Sequence, residues 1–540
     1  MVRLALVAAA ALAIAAVAAG GAGAGRGEDQ LSKINHIVVI YEENHSFDNL
    51  YGGWEGVNGR SNATAARTTQ VDQNGVAYGC LLQKDVNLTS PPLAVTCTDS
   101  VHGISSAFLN TWFKIDDFIP ATAKTCPQPA DAFNHPNGIV DWQGLPGGCT
   151  RDIVHEFYQE QYQLNNGAQN RYMSGSDSAG TVMGVYDTRL LPIYRYLHSG
   201  GHPHYAIADD FFQAAFGGSF LNLQWLIAAR TPTYPNAVSY PGGVTPSTPP
   251  GLPPDLHSII DSNGMPTAYP LYTPTGPVKR NPLTVVCPSP VPGRACGDFA
   301  VNTMQPTYPP SGAFGAKLVP QNAPTIGDRL TAANISWNWY AGGWNDAAAG
   351  HPDPLFQFHH QPFVYFSNYA PGTPGRTHLR DETEFESAIA GSTSSCNLPS
   401  VSFDKPIGEE NEHPGYASEP TGSDHLVDLL SAIDGSACAK DTMVIVVYDE
   451  FGGQWDHVSP PGQGGTPGPH DIWGPGTRIP ALVIAPRLRG NFAVDHTQYD
   501  TTSILATIER RWNLAPLGTR DAAVNDLSSV FAAKQYEAAN

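Results

Sequence analysis

The sequence predicts an α/β protein built on a central, mostly parallel sheet flanked by helices, and three stretches predict it. Residues 37–41 ("IVVIY") and 443–448 ("MVIVVY") are short, uninterrupted, β-branched apolar runs. That is the pattern of strands buried on both faces of a parallel sheet. Residues 479–486 ("IPALVIAP") read as another such strand. Ahead of the second run, "SDHLVDLLSAIDG" places Leu426, Val427, Leu429, Leu430 and Ile433 at helical spacing, with Ser423 as N-cap and Gly435 near the end. A helix feeding an apolar strand is the βαβ unit.

The chain is 540 residues long, 41% hydrophobic and 14% charged, room for one large domain with insertions or for two. Its formal net charge is −20 and its basic residues are scattered, which argues against nucleic acid as a partner. Residues 1–24 read as a signal peptide: one Arg, an apolar run, then small residues with A-x-A sites at 16–18 and 22–24. Export to a periplasm or the outside follows. The alternative is a retained anchor, because residues 4–19 are long for a signal core yet short for a span. No other segment is long and apolar enough to cross a bilayer. Eight cysteines suit an oxidising compartment, and pairing each with its neighbour (80 with 97, 126 with 149, 287 with 296, 396 with 438) is the simplest of many connectivities. None shows the spacing of a structural zinc site.

Residues 231–324 differ in texture. "TPTYPNAVSYPGGVTPSTPPGLPPDLH" is too rich in Pro and Gly for regular elements and reads as an insertion in the main sheet domain. A cover over the site and a plain surface loop stapled by Cys287 and Cys296 both remain open.

Each of the first two strands ends in polar chemistry. Glu43 and Asn44 follow one, Asp449 and Glu450 the other, and in open α/β sheets ligands lie outside the carboxyl ends of strands. Four oxygen ligands suit a hard or borderline divalent cation of unspecified identity. Helix caps and loop salt bridges use the same residue types. In "FFQAAFGGSFLNLQWLIAAR", Ser219 stands after two glycines at the start of a helical pattern, where backbone N–H groups and the dipole favour an anion; an ordinary N-cap is the plainer reading. His155, His359, His360 and His413 add groups suited to an anionic substrate. His457, in "GGQWDHVSPP", reads as a brace for its own loop.

These stretches carry a resemblance. "EENHSFDNLYG" resembles the ENRSFDxxxG opening motif of the bacterial phosphoesterase family that holds the non-haemolytic phospholipases C and the related secreted acid phosphatases. "VIVVYDEFGGQWDHVSPP" resembles its DExGGxxDHVxPP motif, and "EHPGYASEPTGSDHLVDLLSAI" the segment before it. "ADDFFQAAFGGSFLN", "GPGTRIPALVIAP" and "VDHTQYDTTSILATIERRWNL" also fall where the family has similar text. "TIGDRLTAANISWNWYAGGWNDA" and "HHQPFVYFSNYA" look more like the acid phosphatase branch.

The resemblance implies a catalytic domain over residues 30–540 with a core like that of alkaline phosphatase and the sulfatases. It implies a divalent metal ion on Glu43, Asn44, Asp449 and Glu450, Ser219 as nucleophile, and His155, His359, His360 and His413 around the phosphoryl group, with His413 protonating the leaving alkoxide. Neighbouring carboxylates should help these imidazoles hold protons, giving an acidic optimum. The implied activity is a secreted acid phosphatase acting on small phosphate esters. A phospholipase C with phospholipid substrates is the alternative, its wider entrance formed by Tyr234, Tyr240, Tyr269 and Tyr272, and a non-catalytic secreted binding protein is the second. Two departures stand out: His45 replaces the family's frequent Arg, and "GGSFLN" stands where phospholipase members tend to read PTxPN. A sulfatase is disfavoured because the CxPxR motif is absent.

Overall fold

The computed structural model describes residues 25–536 other than 26, 91, 136, 236–259, 262–263, 267, 273–281, 286, 288–292 and 313–316. The expected signal peptide, Tyr240 and much of the Pro-rich stretch lie outside the described residues.

Eight strands form one sheet: β1 (His36–Glu42), β2 (Tyr205–Ala208), β3 (Trp337–Ala341), β4 (Leu379–Asp381), β5 (Val401–Lys405), β6 (Thr442–Tyr448), β7 (Ala481–Ile484) and β8 (Phe492–Asp495). Their order is β8-β2-β7-β6-β1-β5-β3-β4. The two apolar runs are the adjacent central strands β1 and β6, parallel from His36 opposite Thr442 to Glu42 opposite Tyr448. Every residue of β6 is buried, as a strand covered on both faces requires.

β7 departs from expectation: it is a buried strand, but it runs antiparallel to both β6 and β2. The chain leaves β6 at its carboxyl end, forms the 449–480 loop and re-enters beside it without a crossover helix, which permits only an antiparallel return.

The helices used below are α1 (Phe157–Leu164), α2 (Ser219–Ala228), α3 (Glu382–Ala390), α4 (Glu419–Asp434) and α5 (Thr502–Trp512). α4 begins earlier than the apolar spacing predicts. Ser418, not Ser423, is the cap, accepting from Thr421 N–H, with Pro420 in the first turn where its missing N–H costs nothing. Ser423 lies inside the helix and accepts from Ile193 N–H.

All four neighbour disulfides form: Cys80–Cys97, Cys126–Cys149, Cys287–Cys296 and Cys396–Cys438. They fit an exported protein. No helix among the described residues is long and apolar enough to cross a membrane. The described part of the Pro-rich excursion packs on α1: Tyr269 stacks on Tyr162, and Asn302 Oδ1 accepts from Phe157 N–H at the helix start.

Candidate active site

The carboxyl ends of β1, β5 and β6 converge with the start of α2. Beyond β1 the backbone of Asn44 turns left-handed (φ 59°), a conformation Asn tolerates better than most residues. The turn is locked from β6, because Asn44 N–H donates to Asp449 Oδ1 at 3.0 Å. Gly452 (φ +61°) lies so close that a Cβ there would fall 2.1 Å from Asn44 O, so no larger residue fits.

Ser219 is the first residue of α2, and Gly218 is its N-cap. The plain capping reading of Ser219 is thereby replaced: its hydroxyl donates to Glu43 Oε2 at 3.0 Å. Two further groups hold the other oxygen of Glu43, the Lys405 ammonium at 2.6 Å and His360 Nε2 at 2.8 Å. Lys405 also lies 3.6 Å from Asp449 Oδ2 and donates to Glu42 O. Asn44 Nδ2 donates to His413 Nε2 at 3.0 Å and reaches His155 Nε2 at 3.4 Å. Each imidazole is fixed from behind, His413 Nδ1–H donating to Pro414 O and His155 Nδ1–H to Ile153 O, so both Nε2 atoms face the site.

Above this floor is a cavity of about 130 Å³. Glu43, Ser219, His155, His359, His360 and His413 all line it. Asn302, Thr303 and Gln305, from the Pro-rich excursion, form part of its wall. Phe133 and Tyr416 stand at its side, their rings 5.5 Å apart, and Tyr416 stacks on His413. Asn44, Asp449 and Glu450 are buried beneath.

Burial and charge set the protonation of these groups. Burial raises the Glu43 carboxyl, but Lys405 and His360 outweigh it and hold the group well below the usual range. Burial, then the charge of Glu43, pushes Asp449 up to about 8, and burial, then Asp449, pushes Glu450 well up. Burial lowers His360 and His413 despite Glu43. The expectation that carboxylate neighbours keep these two imidazoles protonated is therefore reversed: desolvation is larger than the attraction. The tautomers agree, since His413 Nε2 accepts the Asn44 amide.

Of the four residues expected to hold a metal, Asn44, Asp449 and Glu450 each offer an unpartnered oxygen, while both oxygens of Glu43 are engaged. Asn44 Oδ1, Asp449 Oδ2 and Glu450 Oε1 are buried without a hydrogen-bond donor among the described residues. Buried oxygens without donors suit a hard or borderline divalent cation. At the mouth, Asp152, His155 and His413 offer ligand atoms within 4.8 Å of one another.

His457 lines no part of the cavity; its ring bonds to Asp48 Oδ2 (2.5 Å) and Asn58 Oδ1 (3.2 Å), bracing the loop as expected. His45 is likewise internal, bonded to Asn49 Oδ1 and Glu412 O, and burial lowers it to about 4.

Two residues absent from the sequence reading matter to the geometry. Lys405 is one. Glu160, on α1, is the other: it accepts from Gly217 N–H (2.6 Å), Gln213 Nε2 (3.0 Å), Thr477 N–H (2.7 Å) and Thr477 Oγ1 (2.9 Å). Gln213 Oε1 in turn accepts from Phe451 N–H. Glu160 and Gln213 thus tie the loop before Ser219 to the loop after Glu450. Burial pushes Glu160 up to about 7.

A serine at a helix start, a carboxylate floor and imidazoles thus meet at the sheet ends. A profile of the Phosphoesterase family matches residues 34–515, and the chain belongs to that family, among hydrolases of phosphoric esters. It is 26% identical over 537 residues to "Phospholipase C B" of Mycobacterium tuberculosis, covering 93% of this chain and 78% of that protein. It is 24% identical to "Phospholipase C A" of the same organism over similar spans, and 26% identical over 239 residues, 38% of this chain and 32% of that protein, to "Non-hemolytic phospholipase C" of Pseudomonas aeruginosa. Among solved structures, an alkaline phosphatase superfamily protein of Vibrio parahaemolyticus aligns at 13% identity over 64% of this chain and 65% of that one with a TM-score of 0.26, too loose a superposition to bear on the fold.

Proposed function

We propose that this protein is an exported phosphomonoesterase with Ser219 as nucleophile. The observation that supports the monoester reading is the cavity: about 130 Å³ above Ser219, walled by Asn302, Thr303 and Gln305, has room for a phosphoryl group on a short alcohol. Residues 1–24 supply the export signal in this reading, and Asn302, Thr303 and Gln305 of the Pro-rich excursion cover one side of the cavity.

Glu43, Asn44, Asp449 and Glu450 would hold a divalent cation, which when bound supplies Lewis-acid stabilisation of phosphoryl charge. Ser219 Oγ attacks phosphorus in line, its proton passing to a phosphoryl oxygen of the substrate. Glu43, held well below the usual carboxylate range, is a poor base; its Oε2 orients the hydroxyl instead. The N-terminal end of the ten-residue α2 stabilises negative charge at the same place. The new Oγ–P bond forms as the ester P–O bond breaks, and the departing alkoxide takes a proton from His413 Nε2. That nitrogen must first be protonated, which its lowered affinity confines to the acid side. Water then attacks phosphorus, the P–Oγ bond breaks, and the departing Ser219 Oγ takes a proton from that water. His155, His359 and His360 contact the phosphoryl oxygens.

The second reading, a phospholipase C, is favoured by the names of the relatives and by the exposed Phe133 beside Tyr416, an apolar margin that an acyl chain or a quaternary ammonium would use. Turnover of p-nitrophenyl phosphate against p-nitrophenyl phosphorylcholine from about pH 4 to 9, with Ser219→Ala as control, separates the readings. Preference for the monoester over the choline diester is expected; preference for the choline diester overturns it.

A further inference from the structure

Not all carboxylates at the strand ends face the cavity. Successive side chains of a strand point to opposite faces. Tyr41 and Lys405 share the active-site face, the ammonium 5.2 Å from the ring. Glu42 and Asp404, their strand neighbours, therefore turn to the other face. Both are fully buried, and none of their four carboxylate oxygens has a hydrogen-bond donor among the described residues. Lys405, the positive charge that acts on Glu42, points to the far face and is engaged by Glu43.

On the Glu42 and Asp404 side stand α3 and α4. Glu382 of α3 is the charge that acts most strongly on Asp404, and it acts on Glu42 as well. Glu382, Glu410 and His425 offer ligand atoms all within 4.8 Å of one another. His425 Nε2 lies 2.8 Å from Glu382 Oε1, and its Nδ1 lies 3.9 Å from Glu410 Oε2. His425 also lines a groove between α3 and α4 together with the exposed Glu386 and Asp428. Burying carboxyl groups without hydrogen-bond donors is unfavourable, and neither Glu42 nor Asp404 has one among the described residues.

We propose a second cation site on the back of the sheet, separate from the active site, in which a divalent ion is held by Glu382, Glu410 and His425 on the face to which the buried, donorless carboxyls of Glu42 and Asp404 turn. An imidazole among carboxylates selects a borderline cation of the manganese or zinc kind over calcium or magnesium. Seated behind β1 and β5, the ion would brace the strand ends that present Glu43 and Lys405 to the cavity.

The full chain, stripped with chelator and reloaded with Mn²⁺, is assayed by elemental analysis and by melting with and without the ion. About two equivalents per chain are expected, and the Glu43→Gln/Asp449→Asn variant should keep one of them and still gain thermal stability from Mn²⁺. Adding His425→Gln, a change on a partly exposed face that the fold should tolerate, should abolish that remaining equivalent and the stability gain. Glu42→Gln/Asp404→Asn in the same background should weaken it about 10-fold or more. Loss of all Mn²⁺ in Glu43→Gln/Asp449→Asn, or a remaining equivalent indifferent to His425→Gln, would overturn the proposal and leave shared protons as the answer to the buried acids.

Discussion

Glu160→Gln should separate activity from stability. The carboxylate accepts four hydrogen bonds, two on each oxygen: Oε2 from Gly217 N–H and Gln213 Nε2, Oε1 from Thr477 N–H and Thr477 Oγ1. Glutamine keeps one acceptor and turns an NH₂ group toward one of these pairs, leaving two buried donors facing a donor, a loss of about 1–3 kcal/mol each. An opposing gain exists. Burial raises Glu160 from 4.5 to about 7, so keeping it ionised above that pH costs about 3 kcal/mol relative to the unfolded chain. The folded state holds this proton more tightly than the unfolded one, so this contribution to stability is full below pH 4.5 and is lost as pH rises through about 7. A neutral glutamine removes that cost. The two effects largely cancel at about pH 8, so the unfolding midpoint should move little, while the wild-type decline in stability from pH 4.5 to about 7 should flatten. Catalysis has no such compensation. Gly217 is two residues from Ser219, and a displacement of the hydroxyl by about 1 Å is enough to lower kcat about 100-fold. The assay is kcat and KM on p-nitrophenyl phosphate beside denaturant unfolding across pH. Wild-type kcat in a folded Glu160→Gln protein would refute the reasoning, as would an unchanged slope of stability against pH.

Lys405→Met removes the fully buried partner of Glu43, and unfolding monitored in chelator should show a loss of about 3–5 kcal/mol, with added divalent cation restoring more stability than in the wild type. His413→Gln should lower turnover of alkyl phosphates by about 100-fold or more while sparing p-nitrophenyl phosphate, whose leaving group departs without a proton; equal losses on both substrates, measured at about pH 5, would remove His413 as the acid. Replacing Cys396 and Cys438 by Ala should cost about 2–4 kcal/mol in denaturant unfolding and leave kcat unchanged, since the bridge ties the segments after α3 and α4 far from the cavity.

The central pair of strands was legible because β1 and β6 are buried on both faces, which forces continuous apolar runs ending abruptly at Glu43 and Asp449. Ser219 was legible for a related reason, as two glycines before an apolar helix mark a chain turning tightly into a helix start. Lys405 was not. Its strand, "VSFDK", buries Ser402, Asp404 and Lys405 among apolar residues, so the run is broken in sequence although it is central in space. Glu160 sits on a short helix whose polar residues are largely buried, and only the distant Gly217 and Thr477 reveal why. The direction of β7 was out of reach because period and burial are the same for parallel and antiparallel strands. The protonation of His360 and His413 depended on how deeply each is buried, which neighbouring letters do not convey.

The account stands on Ser219 carrying the phosphoryl group. Rapid acid quench of the enzyme turning over p-nitrophenyl phosphate, followed by peptide mass spectrometry, tests this directly. A phosphoryl adduct on the peptide containing Ser219, formed and lost at rates compatible with kcat and absent in Ser219→Ala, is the predicted result. Turnover that persists in Ser219→Ala, or an adduct on a histidine instead, would contradict it.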